Sequence, residues 1–207
     1  MDSSTDALTP TARSAGHVVA WALTELFTPA VSVIAISVFC GVYGAPGAEG
    51  WAWGLALGAF CGLIPYVALE IASRRKRITN RHVTEHSERP WAYMVCFASV
   101  AAGFITMAVL GAPALLIWAL CTMTFGLVVT GGVTMVGPKV SMHAFCLTSF
   151  AVTAAILSSP WWLLLLCTAL PAVVWSRLRL GHHSPVEVVT GTALAFLVVG
   201  VASVFMP

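Results

Sequence analysis

The chain is a succession of long apolar runs, most of them about the length that crosses a bilayer, joined by short segments that carry nearly all of its charge. A hydrocarbon core of ~30 Å is crossed by ~20 residues of helix. Of the 207 residues, 59% are hydrophobic and 9% charged, so the runs at 18–42, 51–72, 91–110, 114–129, 141–157, 161–175 and 186–204 predict an all-α integral membrane protein. Its architecture is a bundle of six to seven transmembrane helices. Seven result if every run crosses; six result if Pro29 breaks the first into an interfacial piece and a short helix. The runs at 141–157 and 161–175 are shorter than a comfortable span and form a hairpin if their polar ends sit below the headgroups.

Residues 1–16 read as a polar tail with a single basic residue, Arg13. That is a poor match to the positive start of a signal peptide, so the first helix is expected to be uncleaved. Residues 17–207 form one transmembrane domain. Within it, Pro29 predicts a kink, Trp51 and Trp53 predict interfacial anchors, and 111–113 predicts a tight turn. Gly54, Gly58 and Gly62 recur every fourth residue and mark a close-packing helix face. That face packs either inside the chain or as a homodimer seam. Cys40, Cys61, Cys96, Cys121, Cys146 and Cys167 are scattered through apolar runs without metal or redox spacing, and read as small buried hydrophobes.

With seven crossings, the tail, 74–90, 137–143 and 176–184 share one side of the membrane. All ten Lys and Arg residues fall there. The positive-inside rule places that side in the cytoplasm. The formal charge of +2 carries no nucleic-acid signal, because the basic residues are confined to short loops.

The stretch 176–187 holds Ser176, Arg177, His182, His183 and Glu187 at a lipid boundary, where ionisable groups are costly and usually have a task. A helix starting near Ser184, with Pro185 in its first turn, would bring Glu187 back to His183. A carboxylate on one ring nitrogen makes the other a better nucleophile, and an arginine fork suits a phosphate. The alternative is an interfacial loop whose basic side chains snorkel to headgroups. Two further clusters lie on the same face: Arg77 with Arg89 and Pro90, and Lys139 with Ser141 and His143. Cations, a hydroxyl and two histidines converging there describe a site for an anionic headgroup, most simply a phosphate ester.

These clusters resemble the motifs of the type 2 phosphatidic acid phosphatases, which share a site plan with vanadium haloperoxidases. Ser176-Arg177, then His183 after five residues and Glu187 after three, is similar to the family's Ser-Arg-x5-His-x3-Asp. The segment from Lys139 through Ser141 to His143 resembles the Lys-Ile-Ser-x-His of small prokaryotic members. The segment from Arg77 through Asn80 to Arg89-Pro90 resembles the family's first motif. Glu187, Met142 and Asn80 stand where an Asp, a Gly and an Asp are usual. The resemblance implies that His183 is a nucleophile forming a phosphohistidine, that Glu187 orients it, and that His143 is the general acid. Arg77 or Lys76, Arg89, Lys139, Ser141 and Arg177 would hold the phosphate.

The implied activity is a metal-independent lipid phosphate phosphatase without a cofactor. Its partners are membrane lipids and a substrate among prenyl or polyprenyl phosphates or diphosphates, phosphatidate, and polyprenyl-linked sugar phosphates. The alternative is a non-catalytic binder or transporter of an anionic lipid. His182 has the wrong offsets for the nucleophile, His82 and His86 read as solvated loop residues, and Glu70 pairs with Arg74 one turn on. Glu25 is an intramembrane carboxylate with no partner assigned.

Overall fold

The structure is a computed structural model that describes residues 14–83 and 85–207. The tail expected over 1–16 lies outside them, except for Ser14 and for Ala15 and Gly16, which begin the first helix. Pro29 shapes that first element, because it lacks a helical N–H and its ring crowds the carbonyl four residues back. Helix α1 (Ala15–Leu26) stops at Phe27, and α2 (Pro29–Gly44) starts afresh, with the Thr28 hydroxyl accepting from the Val31 N–H at 3.3 Å. The kink expected at Pro29 is a full break.

A second proline acts more gently. Helices α3 (Gly47–Gly58) and α4 (Ile64–Arg74) are one 28-residue apolar segment, interrupted by a π-helical turn over Ala59–Leu63. Pro65 cannot donate to the Cys61 carbonyl, and the widened turn makes room for its ring. The Phe60 carbonyl in that turn accepts from the Ser99 hydroxyl at 2.6 Å. The glycine stripe faces α2: a Cβ would lie 2.6 Å from Val38 Cα at Gly54, 3.3 Å from Ile34 Cα at Gly58 and 3.1 Å from the Ala30 carbonyl at Gly62. Those glycines pack inside the chain, and the homodimer seam expected as one use of them is not available on that face.

Helices α5 (Arg89–Leu110) and α6 (Ala114–Val136) are joined by a turn in which Gly111, at φ +71°, closes α5 and the Ala112 N–H reaches back to the Met107 carbonyl at 2.9 Å. Next come α7 (Met142–Leu157), the short α8 (Leu164–Cys167), α9 (Ala169–Arg179) and α10 (Pro185–Ser203). Six segments among the described residues are long and apolar enough to cross a membrane. The seventh, α7, has 16 residues and is short, as expected. The run expected to end at 175 continues in helix to Arg179, and Pro160–Arg179 reaches 20 residues.

The bundle carries its apolar surface outside, with Val109, Val136 and Val204 all exposed. Such a surface is a liability in water and the ordinary condition against lipid. At the end of the bundle away from the charged loops, Leu57, Met107, Leu116 and Leu120 are fully buried in one core. There the Trp118 indole N–H donates to the Ala202 carbonyl at 2.8 Å. The opposite end carries the charged groups of the described residues other than Glu49.

Candidate functional site

The start of α10 builds the centre of the site. The Ser184 hydroxyl accepts from the Glu187 N–H at 3.4 Å, and Glu187 Oε2 accepts from the Ser184 N–H at 3.1 Å, a reciprocal capping box. The same Oε2 lies 2.8 Å from His183 Nδ1. As the spacing predicts, the first helical turn returns the carboxylate to the imidazole. With Nδ1–H donating to Glu187, the lone pair of His183 sits on Nε2.

Arg177 is locked to this turn from the other side. Helix α9 ends in a Schellman motif, with the His182 N–H on the Arg177 carbonyl at 3.1 Å and the Gly181 N–H on the Leu178 carbonyl at 3.0 Å. Gly181 takes the left-handed conformation that this cap requires, at φ +67°.

The second cluster docks on α10 through backbone. The Ser141 N–H donates to the Glu187 carbonyl at 3.1 Å. The approach is close because residue 191 is glycine: a Cβ there would stand 2.6 Å from the Ser141 carbonyl oxygen. Arg89 in turn donates from Nη1 to the Val140 carbonyl at 3.0 Å. Arg89, Ser141, His143, Arg177, His183 and Glu187 are therefore gathered at one end of the bundle, with Lys139 at the edge, 4.0 Å from Glu187.

The segment between α4 and α5 departs from expectation. Ile78 and Val83 are buried against Ala72 and Ala92, and Glu88 Oε1 accepts from both the N–H and the hydroxyl of Thr79, at 2.7 and 2.8 Å. Val83 sits at φ +47°, a conformation costly for a β-branched residue; its buried side chain helps to hold it there. The result turns Arg81 and His82 inward. Arg81 lies 2.6 Å from Glu25 and 3.2 Å from Glu70, which also holds Arg74 at 2.7 Å as expected. His82 Nε2 lies 3.1 Å from Glu25, and its ring centroid is 5.7 Å from His143 and 5.9 Å from His182.

Three expectations change accordingly. His82 is not a solvated loop residue but part of the site wall, whereas His86 is exposed as expected, with Nε2 2.9 Å from the Thr134 carbonyl oxygen. Glu25 has partners in Arg81 and His82. Lys76 and Arg77, expected on the phosphate, are exposed and line a separate recess with Ser73, Thr79 and Glu88. The physical reason is the turn at Lys76, at φ +55°, which ends α4 before Ile78 and Val83 draw the following residues inward. Those two apolar residues in a charged stretch were the available signal.

A cavity of about 230 Å³ opens from this end. Its polar wall is Arg81, His82, Arg89, His143 and His183, and it continues past Tyr66, Cys96 and Val100 to Trp118. Arg177 stands behind that wall, 1% exposed, with no hydrogen-bond partner for Nε or Nη1. Arg89 Nε, Ser141 Oγ and His143 Nε2 are likewise buried without a partner. No carboxylate lies within ion-pair distance of Arg89 or Arg177 among the described residues. Leaving such groups unmatched costs several kcal/mol, so a concentration of them marks a place for an anion.

Burial, reinforced by the Arg177 guanidinium and opposed by Glu187, pushes His183 down to about 4. Burial and Arg177 also push His182 down to about 4. His82 is lowered by burial and by Arg177, against the pull of Glu25. These imidazoles are neutral at pH 7, and a neutral His183 with Glu187 on Nδ1 is in the state that attacks an electrophile. Among the described residues, no group of three or more His, Cys, Asp or Glu is placed to hold a metal ion. Comparison with protein-family models, with curated proteins and with solved structures finds no match to this chain.

Proposed function

We propose that this protein is a membrane-embedded phosphatase that removes phosphate from a lipid through a phosphohistidine intermediate. This is the activity implied by its likeness to the type 2 phosphatidic acid phosphatases. The observation that carries the proposal is the buried, unmatched Arg177 beside the His183–Glu187 pair. Arg89, Arg177 and Ser141 receive the equatorial oxygens of the transferring group. His183 Nε2 attacks phosphorus as the bond to the leaving oxygen breaks, and His143 carries the proton to that oxygen. Glu187 stabilises the positive charge that develops on the imidazole. In the second half, His143 takes a proton from water as its oxygen attacks phosphorus, the P–N bond breaks and phosphate is released.

The apolar cavity supports an amphiphilic substrate. Its wall runs along α5 from Arg89 to Val100, which at ~1.5 Å per residue is roughly 16 Å. That is about half of the ~30 Å hydrocarbon core, the depth of one leaflet. A single hydrocarbon chain suits this space better than two, which ranks prenyl-type phosphates and diphosphates ahead of phosphatidate. The charged end is assigned to the cytoplasmic face on the one-sided placement of Lys and Arg, and the prokaryotic plasma membrane follows from the likeness to small prokaryotic members of the family.

Phosphate release by the purified protein from a panel of lipid phosphates, with EDTA present, tests this activity. Release that is lost in His183→Ala is the expected result. Saturable binding of a lipid phosphate without any release would favour the non-catalytic binder instead.

A further inference from the structure

His82, in the wall of the same cavity, forms a second carboxylate–imidazole pair with Glu25, 57 residues away in the chain. Glu25 is carried there by α1, which is fastened to α9 where the Thr24 and Ser176 hydroxyls meet at 3.2 Å. Glu25 Oε1 is 2.6 Å from Arg81 and 3.1 Å from His82 Nε2. The groups facing His82 are Glu25 from α1, Arg81 from its own loop, Arg177 from α9, His143 from α7 and His182 from the turn after Gly181. Two of these oppose each other directly: the Arg177 guanidinium repels a proton from the ring and the Glu25 carboxylate attracts one.

An anion resting on Arg89 and Arg177 cancels the repulsion and leaves the attraction. We infer that His82, held by Glu25, takes up a proton when a doubly charged phosphate binds, so that the site favours the dianion of a terminal phosphate over the single charge of a diester. This rests on the phosphate site proposed above. Charge balance supports it. Arg81 is matched by Glu25 and Glu70, and Glu187 is matched with Lys139 at 4.0 Å. Among the described residues, Arg89 and Arg177 are the two buried guanidiniums, neither has a carboxylate within ion-pair distance, and a dianion meets both. A proton on His82 then adds a third cation next to His143, the residue assigned to protonate the leaving oxygen.

A purely structural His82–Glu25 hydrogen bond would hold the loop and leave ligand binding uncoupled from protons. Calorimetric titration of the detergent-solubilised full chain with sulfate separates the two. Sulfate is a dianion that does not itself titrate near neutral pH, so uptake measured in buffers of different ionisation enthalpy reports the protein. The wild type is expected to take up close to one proton per sulfate at pH 7. His82→Gln is expected to abolish most of that uptake and to weaken sulfate by about tenfold, the scale of one charge-assisted contact. Glu25→Gln, which leaves the imidazole in place and removes its attraction, is expected to lower the uptake too, and it carries the test if His82→Gln does not fold. Binding without uptake in the wild type, or uptake that survives both substitutions, would overturn the inference and leave the phosphatase proposal standing. A wild type that binds no sulfate would instead overturn the phosphate site itself.

Discussion

His183 Nδ1 stands 2.8 Å from Glu187 Oε2, and that same oxygen receives the Ser184 N–H at 3.1 Å. One carboxylate therefore caps α10 and sets the imidazole tautomer, and the extra methylene relative to aspartate gives it the reach to do both from the third helical position. Glu187→Gln keeps the shape and removes the charge. Turnover should fall by ~10²–10⁴-fold, because a neutral amide stabilises an imidazolium poorly, while sulfate affinity stays near wild type. Steady-state kinetics beside sulfate calorimetry would show the split; an unchanged kcat would remove Glu187 from the mechanism.

The histidine environment sets a pH dependence whose sign follows from burial. A histidine lowered on folding contributes stability that is present above its unfolded value of ~6.5 and is lost as pH falls through its folded value, about 4 for His183. The melting temperature in detergent should be nearly flat above pH ~6.5 and decline between there and 4. His183→Asn should make that decline shallower. A half-buried His182 contributes less, because solvent screens it. For catalysis, His183 should contribute an acid limb to kcat/KM near 4 rather than near the ordinary histidine value, below the limb at about 6 that the second ionisation of the substrate phosphate supplies. A melting temperature that rises on acidification would contradict the burial of a neutral imidazole.

Arg177 separates a ligand-binding charge from a structural one. A buried guanidinium without a carboxylate partner is a burden on the fold, so Arg177→Met should hold or raise the melting temperature while abolishing sulfate and phosphate binding. Inorganic phosphate should raise the wild-type melting temperature with the logarithm of its concentration above Kd and leave that of Arg177→Met unmoved. A melting temperature that drops steeply in Arg177→Met would mean that the guanidinium holds the fold together.

The bundle was legible because lipid leaves few alternatives: apolar runs of span length become helices, and Pro29 and Gly111 mark where they stop. The centre of the site was legible for a similar reason, since Arg177, His183 and Glu187 are local in sequence and one Schellman turn followed by a capped helix leaves them little freedom. The segment between α4 and α5 was not. Its basic residues all look alike on the page, and which of Lys76, Arg77 and Arg81 enters the site depends on the burial of Ile78 and Val83 and on a left-handed turn at Lys76. Glu25 was unreadable for a different reason: its partners Arg81 and His82 come from the far side of two helices, and no spacing rule connects them.

Orientation follows from charge and is open to chemical labelling. In a cysteine-free background, a cysteine at exposed Glu85 should resist an impermeant thiol reagent in intact cells, and one at exposed Ala48, at the other end of the bundle, should react. The reverse pattern would place the site outside the cell and change which lipids reach it.

The central claim is phosphoryl transfer to His183, and trapping the intermediate tests it most directly. A phosphorus-labelled lipid phosphate substrate is mixed with the wild type, His143→Ala and His183→Ala, and each is quenched in base to preserve an acid-labile phosphohistidine. With a diphosphate, whose leaving oxygen departs as a stable anion without the His143 proton, label should accumulate in His143→Ala, where His143 is no longer there to activate the attacking water, appear faintly in the wild type, and be absent from His183→Ala. Label retained by His183→Ala, or phosphate released by that variant at the wild-type rate, would contradict the assignment of His183 as the nucleophile and the phosphatase mechanism built on it.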